Sequence, residues 1–239
     1  MNNISDTKTS RHCTGCGACV AVCPSSAIEY SLDENGFYSS KVNSQRCIDC
    51  GACLEVCVKF NNTTEKSVSE GRLWAGRNSN KRDLRKSSSG GIAAAISEYG
   101  LKNGYIIGGV RYSFSQNIAE TIMSDDKCTV EGFRGSKYLQ SKMYPFSGDF
   151  IERAKAKPSN RFIIFGTPCQ VFGLRKAIEC EGVKNETILI DLFCHGVPSY
   201  LVWFSYVDWL KRQFSIKSIK EIDFRSKEIG WHNFVMDIR

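Results

Sequence analysis

Cysteine spacing constrains this chain more than any other feature. Cys13, Cys16, Cys19 and Cys23 form a C-x2-C-x2-C-x3-C run, and Cys47, Cys50, Cys53 and Cys57 repeat it 34 residues later. Both runs also read C-x-x-C-G-A-C-x-x-V-C, so the stretch is an internal duplication and not a scatter of thiols. Structural zinc sites usually take two ligand pairs separated by a long loop, whereas three thiolates at x2 intervals suit three irons on one face of a cubane. Zinc and structural disulfides remain as alternatives, and the spacing counts against both.

The fourth cysteine, followed in the first run by Pro24, is expected to begin a helix and lean toward the other cluster. The stretch closely resembles a two-cluster bacterial ferredoxin, and the resemblance implies cross-ligation. On that basis Cys13, Cys16, Cys19 and Cys57 hold one 4Fe-4S cluster, and Cys47, Cys50, Cys53 and Cys23 hold the other.

A length of 239 residues with 42 % apolar composition allows one large or two modest globular domains. Residues Met1 to Arg11 are polar and lack the apolar core of a secretory signal. No apolar run approaches the ~18 residues of a membrane span. Twelve cysteines without an export signal point to a reducing cytoplasm, where thiols bind metal. Residues 1–60 hold five Lys/Arg against six Asp/Glu and the remainder 27 against 19, so the net +7 resides in the second part. That charge fits a phosphate-bearing cofactor or an acidic partner as well as an unspecific solvated surface. No nucleic-acid partner is expected.

Between the runs, Ile28 to Tyr30, a turn at Asn35-Gly36 and Phe37-Tyr38 predict a hairpin. The polar stretch after Cys57 predicts a linker over 61–72, separating a domain of residues 1–60 from one of 73–239. In the second part Leu73 to Gly76 is expected as a short strand. Ser87-Ser88-Ser89-Gly90-Gly91 heads a helix from Ile92, either as an ordinary cap or as an anion site. Strands are expected at Tyr105–Tyr112, Ala119–Ser124, Arg161–Phe165 and Thr187–Phe193, and helices at Phe150–Lys157, Val171–Glu179 and Tyr200–Phe214. Trp203 and Trp209 are both expected to be buried. A last β pair spans Ile222–Arg225 and Asn233–Ile238, and the strand pattern running into Arg239 predicts an N-terminal fragment. Apolar strands alternating with helices are the signature of parallel sheet units, whose ligands bind beyond the carboxyl ends of the strands.

Cys169 and Cys194 fall at that edge. Thr167 and Pro168 set Cys169 in the first turn of a helix, where dipole and free amides favour a thiolate. A buried structural thiol is the other reading of each cysteine. Cys128 and Cys180 read as core thiols. His195 can move protons or simply bond to backbone, and His12 adjoins a cluster ligand. No residue is assigned a catalytic role, and no nucleophile–base constellation supports a hydrolase.

Ser88-Ser89-Gly90-Gly91, Gly135-Ser136-Lys137-Tyr138, Gly166-Thr167-Pro168-Cys169-Gln170 with Gly173-Leu174-Arg175, Asp191 through Ser199, and Asp223 through Lys227 with Gly230-Trp231 occur in order. Together they resemble the beta subunits of the deazaflavin coenzyme (F-420) hydrogenase/dehydrogenase family. The resemblance implies a small ferredoxin domain followed by a mixed α/β flavin-type domain, α+β overall. It implies FAD lined by Ser89, Gly90, Gly91, Gly135, Ser136, Lys137, Tyr138, Ser141, Thr167 and Gln170. Cys169 and Cys194 match cysteines that, with a later C-x-x-C pair, ligate a further 4Fe-4S cluster; no such pair lies between Cys194 and Arg239.

The expected function is an iron-sulfur flavoprotein oxidoreductase subunit. It passes electrons between two clusters and FAD, and on to the deazaflavin coenzyme or another small acceptor, with a redox partner protein or subunit. Other members of the family act on other substrates, so the acceptor does not transfer with the fold. The competing expectations are a non-catalytic electron carrier that docks on an enzyme and, more weakly, a zinc-bearing interaction protein.

Overall fold

A computed structural model of the chain describes residues 2–5, 13–61, 71–230, 232–233 and 235–239. His12, Trp231 and most of the expected linker lie outside them.

The cysteine runs fold as two near-copies. Gly17 and Gly51 hold the same place in each repeat and take left-handed backbone, φ 71° and 81°, which glycine enters without steric cost. Each opens a single helical turn, α1 (Ala18–Ala21) and α2 (Ala52–Glu55). Between them β1 (Ile28–Leu32) and β2 (Tyr38–Val42) form the expected antiparallel hairpin, with Ile28 opposite Val42 and Leu32 opposite Tyr38. The hairpin is tied to the first run by the Tyr30 hydroxyl, which donates to the Gly15 carbonyl at 2.7 Å.

The larger part is built on a four-stranded sheet of order β4-β3-β5-β6. Its strands are β3 (Tyr105–Ser113), β4 (Ile118–Ser124), β5 (Arg161–Gly166) and β6 (Thr187–Asp191). β3, β5 and β6 run parallel and β4 is an antiparallel edge, as alternating strands and helices lead one to expect. Successive residues serve opposite faces. Tyr105, Ile107, Ile163 and Phe165 pack with Ile96 and Leu101 of α4 (Ile92–Lys102) and Val130 of α5 (Lys127–Glu131). Ile106, Phe162 and Ile164 pack with Phe146, Phe150 and Ala154 of α6 (Phe146–Ala156) and Leu174 and Ala177 of α7 (Pro168–Cys180). Both faces of β5 and of the first half of β3 are covered, which is why these strands read as unbroken apolar runs, whereas β6 is an edge strand with Ile188 exposed.

The α6/α7 face carries a second load. The same core takes in Cys16, Ala18, Cys19, Val22, Cys53 and Val56, so the cysteine-bearing part and the α/β part share one apolar interior. Ser147 Oγ donates to the Gly17 carbonyl at 3.2 Å across that junction. A separate core joins Tyr38 of the hairpin to Tyr112, Leu139, Phe224 and α8 (Tyr200–Phe214). Tyr200 pins it, its hydroxyl accepting from the Ala119 N–H at 2.9 Å and donating to the Gln140 carbonyl at 2.8 Å. The last β pair forms as β7 (Ile222–Ser226) and β8 (Val235–Ile238), antiparallel.

Several local expectations fail. Leu73 to Gly76 forms no strand, and Leu73 and Trp74 lie exposed, because four apolar-leaning residues have no neighbouring strand to pair with. The charge run before the serines is instead a short helix, α3 (Lys81–Arg85), capped by Asn80 Oδ1 accepting from the Arg82 N–H at 3.0 Å. Trp203 is buried but Trp209 is not. Six residues turn a helix through roughly 240°, so the two indoles cannot share one face. Cys128 and Cys180 are exposed thiols on helix surfaces, not core residues, and Cys194 is exposed as well.

Candidate metal and cofactor site

Two cavities sit in the cysteine-bearing part. One is lined by Cys13, Cys16, Cys19 and Cys57 together with Ser40 and Phe60. The other is lined by Cys23, Cys47, Cys50 and Cys53 together with Asn3 and Ile48. The grouping is the crossed one. α1 carries Cys19 and ends just before Cys23, so one turn takes the chain from one cavity to the other. α2 carries Cys53 and ends just before Cys57 in the same way, and the helix expected to begin at the fourth cysteine instead precedes it.

Backbone amides aim at the sulfurs. The Gly15 N–H donates to Cys13 Sγ and the Asp49 N–H to Cys47 Sγ, both at 3.4 Å and both two residues after the first cysteine of a run. The Ala27 N–H donates to Cys23 Sγ at 3.2 Å. Burial pushes the Cys16 thiol up to about 12, with Cys169, Cys13 and Cys57 adding to it. Burial likewise raises Cys19, Cys53 and Cys57. Packed this way, four thiolates are unfavourable on their own and become favourable around a cationic centre, which deprotonates its thiol ligands. All twelve cysteines are free thiols, so disulfide pairing does not account for the runs. Soft ligands, amide donors and a cavity of this crossed kind fit an iron-sulfur cubane in each site.

The residues expected at a flavin fall into two linked groups. In the first, the Ser136 N–H donates to Ser88 Oγ at 2.7 Å, joining the serine-glycine loop to the 135–138 stretch. Gly91 opens α4 with no side-chain cap, leaving first-turn amides free for an anion. In the second, Gln170 Nε2 donates to Ser141 Oγ at 2.8 Å, while Gln170 Oε1 accepts from the Thr167 N–H at 2.9 Å and caps α7. Ser141 and Gln170 are buried and spend their polar atoms on each other and on the cap, so they hold the turn in place.

Gly166 of β5 is in register with Asp191 of β6, and Cys169 and Cys194 each stand three residues beyond that pair. Both therefore lie off the carboxyl edge of the sheet, where ligands of parallel sheets bind. Cys169 Sγ is 3.2 Å from Thr167 Oγ1, and the Gly196 N–H donates to Cys194 Sγ at 3.5 Å.

Sequence reasoning assigned no site role to Lys227, Arg225 or Asn3. Lys227 Nζ donates to the Ser89 carbonyl at 3.0 Å and the Leu84 carbonyl at 3.2 Å, and Arg225 reaches the Tyr138 hydroxyl at 3.5 Å. Asn3 Nδ2 donates to Asp49 Oδ1 at 2.8 Å and approaches Cys47 Sγ at 3.5 Å. The Asp223 to Lys227 string was a usable signal for the first two; a lone asparagine in a polar leader offered none.

Lys137 is the unusual charge. Its Nζ donates to the Gly132 and Arg134 carbonyls, both at 2.8 Å. Burial brings the amine down to about 7, against a partial opposing pull from Asp223. Between pH 7 and the ordinary lysine range this amine binds more protons in the unfolded chain than in the folded one, so its own contribution to folding stability rises with pH across that window, against the opposite trend of the raised thiols. Chemical denaturation at a series of pH values should show the unaltered chain gaining stability relative to Lys137→Met as pH rises. A difference between the two that does not change with pH would place the titrating group elsewhere.

Residues 12–61 match the model of the 4Fe-4S dicluster domain, and residues 159–239 match the model of the C terminus of the Coenzyme F420 hydrogenase/dehydrogenase beta subunit. No curated protein matches the chain closely enough to count as a relative. Among solved structures, a chain of the xenon-derivatised F420-reducing NiFe hydrogenase complex from Methanosarcina barkeri is similar at 24 % identity and a TM-score of 0.48. That match covers 67 % of this chain and 57 % of the other, so the present chain spans little more than half of its length.

Proposed function

We propose that this chain, which joins a 4Fe-4S dicluster domain to the C-terminal region of a hydrogenase/dehydrogenase beta subunit, is an electron-transfer subunit of a flavin-dependent oxidoreductase. The observation that carries the reading is the pair of crossed thiol sites sharing one apolar core with the α/β domain. A ferredoxin acting alone needs no such junction. A redox centre that must pass electrons to a neighbouring domain does.

In this reading Cys13, Cys16, Cys19 and Cys57 hold one cluster and Cys47, Cys50, Cys53 and Cys23 the other. Ser89, Gly90, Gly91, Gly135, Ser136, Lys137, Tyr138 and Thr167 receive FAD, positioned by Ser141 and Gln170. The uncapped start of α4 takes the anionic end. FAD supplies the exchange between single electrons and a hydride pair. Lys137, its amine lowered by burial and held by the Gly132 and Arg134 carbonyls, is the group placed to hold a proton at Nζ beside the site. The acceptor is a small molecule such as a deazaflavin coenzyme, and Cys169 and Cys194 are the candidates for a further cluster.

The full chain, reconstituted anaerobically with iron, sulfide and FAD, should release flavin on denaturation and pass electron pairs from a one-electron donor to a hydride acceptor. Clusters without bound flavin would leave a one-electron carrier instead.

A further inference from the structure

Helix α7 connects the two thiol sites to the sheet edge. Cys169, Gly173, Ala177 and Cys180 are spaced four, four and three residues apart, which is one stripe of an α-helix. Ala177 is fully buried in the core that contains Cys16, Cys19 and Cys53. At Gly173 a Cβ would stand 2.8 Å from Ala18 Cβ and 3.1 Å from Cys16 Sγ, so bare helix backbone lies against a sulfur of the first site. One turn back along the same stripe is Cys169, at the carboxyl edge of β5. The far end of α7, at Cys180, lies on the side of Cys50, which is close enough to act on it electrostatically. Each site has one exposed cysteine, Cys13 and Cys50, but the first buries two thiols, Cys16 and Cys19, and the second only Cys53, beside an Ile48 that is 65 % exposed.

We propose that the two sites work in a fixed spatial order. The site of Cys13, Cys16, Cys19 and Cys57 exchanges electrons with the α/β domain along α7, and the site of Cys23, Cys47, Cys50 and Cys53 is the port for a one-electron redox protein. Each step moves one electron, oxidising one centre and reducing the next, with no bond made or broken. Gly173 is a positioning residue: its missing side chain lets the backbone close on Cys16. The order rests on both sites holding clusters.

Reduced, reconstituted full chain is the sample, with the two cluster signals assigned in low-temperature EPR by Cys50→Ser, which alters the second site. Added gadolinium chelate, a soluble paramagnet, should speed relaxation of the Cys50-dependent signal several-fold more than that of the other. Gly173→Ala should change the Cys50-independent signal and slow flavin reduction about tenfold, leaving the Cys50-dependent signal as it was. Equal response of both signals to gadolinium, or a Gly173→Ala effect on the Cys50-dependent signal, overturns the order while leaving two clusters in place. A chain that takes up no iron and sulfide overturns the underlying reading as well. The gadolinium measurement uses an unaltered α7, so the order stays testable if Gly173→Ala does not fold.

Discussion

Cys57→Ala and Cys16→Ala should remove the same cluster, and Cys23→Ala should remove the other. Each variant is expected to keep about half of the iron and sulfide, because a cubane with three thiolates of four is readily lost. The EPR spectrum of Cys57→Ala should match that of Cys16→Ala, although Cys57 belongs to the second run. Cys23→Ala should match Cys53→Ala in the same way. Ligation within each run predicts the opposite pairing, Cys57 with Cys53. The crossed result follows from the lining of the two cavities and from the one-turn helices that carry the third cysteine of each run and end just before the fourth.

Phe150→Ala should cost about 3–5 kcal/mol, the usual range for deleting a buried aromatic ring. Phe150 is wholly buried, packs edge-on to Phe162 with ring centres 5.1 Å apart, and belongs to the core that also holds Cys16, Cys19 and Cys53. The loss should therefore reach both parts of the chain together. In a denaturant titration of the reconstituted protein, cluster absorbance and far-ultraviolet circular dichroism should fall at the same, lowered midpoint. Two separated transitions, with the cluster signal unmoved by the substitution, would show that the cysteine-bearing part stands alone.

The parts of this architecture that could be read in advance are those where a local rule leaves one solution. Repeated cysteine spacing with glycine at position 17 and again at 51 defines a geometry within twenty residues. Thr167, Pro168 and Gln170 start α7 by short-range capping, so its first turn was readable to the residue. Strands β3 and β5 were readable because both of their faces are largely buried, and β6 by its apolar run alone. Trp209, Cys128 and Cys180 were misplaced because burial depends on which side of a helix meets a neighbour, and composition carries no such information. The junction between the parts was invisible for the same reason: Gly173 against Cys16 and Ser147 against Gly17 join residues more than a hundred positions apart. Lys227 and Arg225 likewise reach the serine-glycine loop and Tyr138 only through the fold.

The proposed electron transfer depends on the duplicated thiols holding iron-sulfur centres built into the core of an α/β domain. Metal and acid-labile sulfide analysis of the full chain, purified and reconstituted without oxygen, tests it most directly. Iron and sulfide in equal amounts, enough for two 4Fe-4S clusters per chain, is the result the structure predicts. Zinc bound without sulfide would contradict it.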